Sequence, residues 1–200
     1  MTSFNLKLKS FFILIVVPFL ISGCASSSVL LFQLEDFYIE RSVDTITLLP
    51  VVDCRKDKSG VKANYVNDIF TSLERELKYK GYKVDKVNKF SETRAITYEE
   101  IAEMEIEELA KLGPEDGQYL FLVYLNDVVR NYVLVADISM VNGTAVLIDK
   151  KNSRYIWKSK SIGNKGSPTY IFLPLMNITK WATFRFVDNI FLNFPKKSFQ

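Results

Sequence analysis

The chain contains no histidine, which removes imidazole as a general base, a proton shuttle or a metal ligand. Cysteine occurs twice, too rarely for a disulfide framework. Glycine and proline are scarce as well, eight and six in 200 residues, which excludes collagen-like and low-complexity chains. Charge of one sign is nearly absent in the balance: 26 Lys and Arg against 23 Asp and Glu leave +3, without the basic excess of a nucleic-acid binder. What is present is 48% hydrophobic and 24% charged residues, enough for one domain with a core of its own.

The first 24 residues carry the sharpest signal. Lys7 and Lys9 form a basic flank, residues 11–21 an apolar run broken by Pro18, and Ile21-Ser22-Gly23-Cys24 a small-residue stretch ending in cysteine. At ~1.5 Å per residue the run covers about half of a ~30 Å bilayer core, so it is too short to span one. This stretch resembles a bacterial lipoprotein signal. The resemblance implies cleavage after Gly23 and acylation of Cys24, whose several chains would hold the protein at a membrane. Residues 25–28 read Ala-Ser-Ser-Ser, and no aspartate follows Cys24. Aspartate there commonly retains lipoproteins in an inner membrane, so the expected location is an outer membrane, facing the periplasm. Removal of residues 1–23 takes two lysines and no acid, which lowers the net charge from +3 to +1. The remaining Cys54 then has no second cysteine to form a disulfide with and reads as a small apolar residue at a strand end.

Residues 24–42 read as the lipidated cysteine and a tether, whose apolar pieces suggest that part of it packs on the domain, and residues 43–200 as a single α/β domain. Residues 43–52 predict a buried strand. Ala63, Val66, Ile69, Phe70, Leu73 and Leu77 predict an amphipathic helix over 61–80, capped by Gly81, with a short strand at 82–87 after it. Thr97 and Glu100 form a capping box for a Glu-rich helix that Gly113-Pro114 closes. Four β runs follow at 119–125, 132–141, 144–148 and 154–159, then a loop at 163–168, and a final helix around 178–191 stopped by Pro195. The order βαβαββββα predicts a mixed sheet with helices packed on it.

Several motifs invite chemistry. Lys58-Ser59-Gly60, Ser59 with Lys62, and Tyr65-Val-Asn67 match three elements of penicilloyl-serine enzymes, with Ser59 as nucleophile. In those enzymes the elements come from separate parts of the chain, whereas here they crowd into ten residues; Ser59 reads instead as a helix N-cap. The run Gly163-Asn-Lys-Gly166-Ser lacks the phosphate-loop spacing and reads as a plain loop. Only carboxylates could hold a metal and no calcium-loop pattern occurs, so no cofactor is expected. Lys150, Lys151, Arg154, Lys158 and Lys160 gather on one hairpin. Such a cluster guards a sheet edge, and Lys150, Lys151 and Arg154 are also the candidate docking residues for an acidic partner.

Beyond the signal, Ile46-Thr-Leu-Leu-Pro-Val-Val-Asp53, the helix ending Leu73-Glu-Arg-Glu-Leu77 before Gly81, Ala145-Val-Leu-Ile-Asp149 with Arg154-Tyr-Ile-Trp157, and the closing Phe194-Pro195 carry a second likeness. The chain resembles periplasmic lipoproteins built on the domain of the CsgG-like assembly lipoproteins, the N-terminal part of TolB and the LpoB-type activators, and a small family of outer-membrane lipoproteins. Asn152-Ser153-Arg154 stands where that hairpin has a glycine. The resemblance implies a non-enzymatic role: assembling, activating or docking cell-envelope machinery, with another envelope protein or a second copy as partner and no nucleic acid. The alternatives are an auxiliary lipoprotein of a transport complex with an apolar groove near 119–125, a pore subunit, and a serine hydrolase using Ser59.

Overall fold

The computed structural model describes residues 29–30, 43–55, 64–87, 98–133, 136–168 and 178–197. The signal segment 1–23, Cys24, Ser59, Lys62 and Thr97 lie outside the described residues. In chain order the elements are β1 (Val29–Leu30), β2 (Thr45–Leu48), β3 (Val52–Asp53), α1 (Asn64–Tyr79), β4 (Lys83–Lys86), α2 (Tyr98–Glu103), α3 (Ile106–Lys111), β5 (Tyr119–Val133), β6 (Ala136–Asp149), β7 (Arg154–Pro168) and α4 (Ile178–Phe191). The strands make one mixed sheet in the order β1-β7-β6-β5-β2-β4, and β3 pairs β5 beyond the end of β2. Strands β2, β3 and β4 run parallel where they pair; β5, β6, β7 and β1 alternate antiparallel.

The expected helix before β4 is present, and its spacing explains it. Tyr65, Ile69, Leu73 and Leu77 repeat every four residues and are all buried. Gly81 ends it at φ 95°, a conformation that side chains with a Cβ rarely adopt, while the Tyr82 N–H returns to the Leu77 carbonyl at 3.2 Å. The crossover β2–α1–β4 puts two parallel strands side by side.

Four expectations are corrected. The strand expected at 43–52 is two short ones, β2 and β3, separated around Pro50, which has no N–H to give to a ladder. The Glu-rich helix is two six-residue helices, because Glu105 is extended at φ −64°, ψ 159°. The run expected at 132–141 is split between β5, which continues to Val133, and β6, which starts at Ala136 and runs unbroken through Asn142 and Gly143 to Asp149, the extra residue Asn126 lying in β5 opposite that pair. The loop expected at 163–168 is the end of β7.

Both faces of the sheet are covered. On one, α1 and α4 bury Phe121, Val123, Leu147 and Trp157 together with Ile69, Leu73, Phe186 and Phe191. On the other, α2 and α3 bury Leu120, Leu122, Val146 and Ile148 with Ile101, Leu109 and Leu112. At ~1.5–3 kcal/mol for each large side chain taken from water, these two layers are the main stabilising term. The C-terminus closes the first layer: the Tyr82 hydroxyl donates to the Pro195 carbonyl at 3.2 Å, Lys80 Nζ to the Phe194 carbonyl at 2.9 Å, and Lys197 pairs with Asp44. Burial pushes the Tyr82 hydroxyl pKa up to about 12.

Candidate functional site

The turn between β6 and β7 holds the three candidate docking residues, and Asp149 organises it. This carboxylate is 1% exposed and accepts from the backbone N–H groups of Lys151 and Asn152, at 3.1 and 3.3 Å, and from Asn152 Nδ2 at 2.6 Å. Ser153 takes a positive φ of 46° where a glycine would be at ease. Lys150 is engaged within the fold. Its Nζ donates to the Pro114 carbonyl at 2.8 Å and the Glu115 carbonyl at 3.3 Å, and its N–H to Gln118, so it fastens the turn to the loop before β5. Lys151 is exposed, and Arg154, also exposed, leans on Asp149 at 3.6 Å. Lys158 lies 5.2 Å from the Tyr155 ring centre, and burial, with Lys160 nearby, lowers its ammonium pKa. The lysine cluster of the sequence is thus three separate arrangements.

The apolar groove expected near 119–125 is a buried strand: none of its seven residues is more than 7% exposed. A cleft of about 570 Å³ does adjoin its start, lined by Thr47, Asp85, Asp116 and Gln118 together with Val87 and Pro114 among others, so its wall mixes polar and apolar groups.

A second cluster was not expected. At the carboxyl end of β3, Asp53 receives Arg55 Nε at 2.8 Å and Nη2 at 3.0 Å, and the Tyr65 hydroxyl at 2.6 Å. The Arg55 guanidinium also lies 4.9 Å over the Tyr65 ring. Arg55 is buried, and its Nη1 has no acceptor among the described residues. A planar, always-charged fork fits this two-pronged grip as lysine could not. The signal available in the sequence was a carboxylate and an arginine two apart straight after a buried strand. Tyr65, a member of the Tyr-x-Asn element, gives its hydroxyl to Asp53 instead.

Burial raises the Asp53 carboxyl pKa, but the hydrogen bonds from Arg55 and Tyr65 outweigh it and hold the group below the usual carboxylate range. On acidification the unfolded carboxyl therefore protonates first, and stability falls until the folded group protonates too. Asp53→Asn is expected to destabilise at neutral pH by about 1.5–3 kcal/mol, a discounted range because the Asp53 side chain keeps 20% of its surface in water. The gap to the unaltered protein should narrow as pH drops below the unfolded carboxylate value of about 4. Urea midpoints across that range test this, and a gap constant with pH would refute it.

No protein-family model and no curated protein matches the sequence. Among solved structures, PelC from Paraburkholderia phytofirmans, a dodecamer, is similar at 11% identity over 88% of this chain and 100% of that one, with a TM-score of 0.54. The chain has the fold of PelC. A variant PelC dodecamer aligns at 12% identity over 82% of this chain and 95% of that one, TM-score 0.50. Lipoprotein GNA1162 from Neisseria meningitidis is 18% identical over 62% of this chain and 84% of that one, TM-score 0.46. At such identities PelC shares the architecture and not the side chains, so the Asp53 cluster and the 149–154 turn rest on this chain's own geometry. Among the described residues, no helix is long and apolar enough to cross a membrane, and no group of His, Cys, Asp and Glu is placed to hold a metal ion.

Proposed function

We propose that the chain is a lipid-anchored lipoprotein of the bacterial envelope, without catalytic activity, that works as a repeated subunit of an assembly of its own copies. One juxtaposition carries this reading: a signal ending in Ile21-Ser22-Gly23-Cys24 stands ahead of a domain with the fold of PelC, itself a dodecamer. The sheet edge at β4 supports contact through helices and turns over strand addition. Three of its four residues are exposed, and Lys83 and Lys86 pair with Asp44 and Glu74. Charges on an edge strand disfavour a foreign strand. The 149–154 turn then serves as a periphery for a further acidic partner, through Lys151 and Arg154.

The test has two arms. Cys24→Ala is expected to abolish acyl-chain labelling and to leave the protein uncleaved or free of the membrane fraction; unchanged labelling would refute the anchor. The detergent-extracted, lipidated protein is expected to sediment as a multimer. A monomer at every concentration would refute the assembly.

A further inference from the structure

The short strand β1 fixes where an anchor at Cys24 can reach. Val29 pairs with Ser161 and Leu30 with Lys160, antiparallel, so the chain enters β1 from the Ile162 side of β7. Cys24 lies five residues before Val29. Whatever its path, that length of chain spans at most about 18 Å. The 149–154 turn lies the other way: Arg154 is seven positions before Ser161 along β7, about 23 Å at the rise of a strand.

The side that the chain comes from is where β5 ends, β6 begins, β7 ends and α4 begins, the last held there by the Ser139 hydroxyl donating to Thr179 Oγ1 at 3.2 Å. Among the described residues, two of the four large hydrophobics left exposed are here, Trp181 at 49% and Ile138 at 41%. Trp181 stands edge-on to Phe184 at 6.4 Å. Among the described residues, these strand and helix ends carry three basic positions, Arg130, Lys165 and Lys180, and one acidic position, Asp137. An exposed indole at an end of the domain that also carries basic residues suits the boundary between water and lipid, where its ring is apolar and its N–H stays hydrated. Lysine stems reach across the same boundary with the charge in water.

We infer that this end of the sheet, with Ile138, Lys165, Lys180 and Trp181, rests on an anionic lipid surface, while the 149–154 turn points away from it. The inference rests on acylation of Cys24, and the experiment separates the two. The full-length, lipidated protein is reconstituted into phosphatidylglycerol-containing vesicles whose acyl chains are brominated just below the headgroups. Acylation is checked by mass spectrometry, and tryptophan emission is read. The chain has two tryptophans, and Trp157 is buried at 5% exposure. The Trp181 share of the emission should be quenched and the Trp157 share kept. Trp181→Phe should abolish quenching without altering vesicle binding, and Lys165→Glu with Lys180→Glu should reduce it. Acylated, vesicle-bound protein with unquenched Trp181 overturns this orientation and leaves the anchor standing. If Trp181 then crosslinks to a second copy, the face is a subunit contact. Protein without acyl chains overturns the anchor and this inference with it.

Discussion

Gly163→Ala is expected to lower the melting temperature by roughly 6–12 °C, the equivalent of about 3 kcal/mol in a domain of this size. A Cβ at position 163 would lie 2.2 Å from the Ala182 carbonyl oxygen and 2.3 Å from the Phe186 backbone nitrogen. Both are backbone atoms of α4, so the strain cannot be relieved by a side-chain rotation. Either the helix lifts from β7 or the strand buckles. Lifting also breaks what stitches the two together: the Ser161 hydroxyl donating to the Phe186 carbonyl at 3.1 Å and Asn189 Nδ2 donating to the Ile162 carbonyl at 2.9 Å. Gly166→Ala is the control. Its added Cβ would meet only Ile138 Cγ1, at 3.8 Å, an ordinary contact. Thermal unfolding of both variants checks the argument; equal melting temperatures would show that α4 does not sit as low on the sheet as described.

The same close approach explains what the sequence concealed. Gly143, Ala145, Ser159, Ser161 and Gly163 are small because α4 lies against this part of β6 and β7, and a Cβ at Gly143 would come within 2.9 Å of Phe186 Cζ. Glycine and serine in a row ordinarily mark a turn, so local chemistry read as loop what a neighbouring helix had made into strand. Where a residue's surroundings lie close in sequence, its role was legible. The four-residue repeat of α1 and the glycine after it follow from the chain's own geometry, as does the apolar run of β5. The Asp53–Arg55–Tyr65 cluster was half legible: the first two are neighbours, but Tyr65 comes from beyond the intervening loop. Lys150 could not be told from Lys151, since the carbonyls that occupy it belong to Pro114 and Glu115, 35 residues or more away.

The strand register decides the other large effect. Ile148 and Trp157, the apolar residues on either side of the 149–154 turn, lie on opposite faces. Leu147 pairs with Trp157 but Ile148 with Tyr155, so one extra residue of β7 turns the alternation over. Trp157 is thereby placed among rings, stacked with Phe121 at 5.9 Å and edge-on to Phe194 at 4.9 Å, with Phe194 in turn 5.1 Å from Phe191. Removing the indole leaves a cavity between strand, helix and C-terminus that no rigid neighbour can fill. Trp157→Ala is therefore expected to destabilise the domain by ~3–5 kcal/mol, a fall of roughly 6–20 °C in melting temperature. Trp181→Ala, at a ring 49% exposed, should change it little. Near-ultraviolet circular dichroism should separate the two as well, because only Trp157 is held in a fixed asymmetric surrounding. If Trp157→Ala melted with the unaltered protein, the ring cluster would not be the part of the core that ties the C-terminal segment to the sheet.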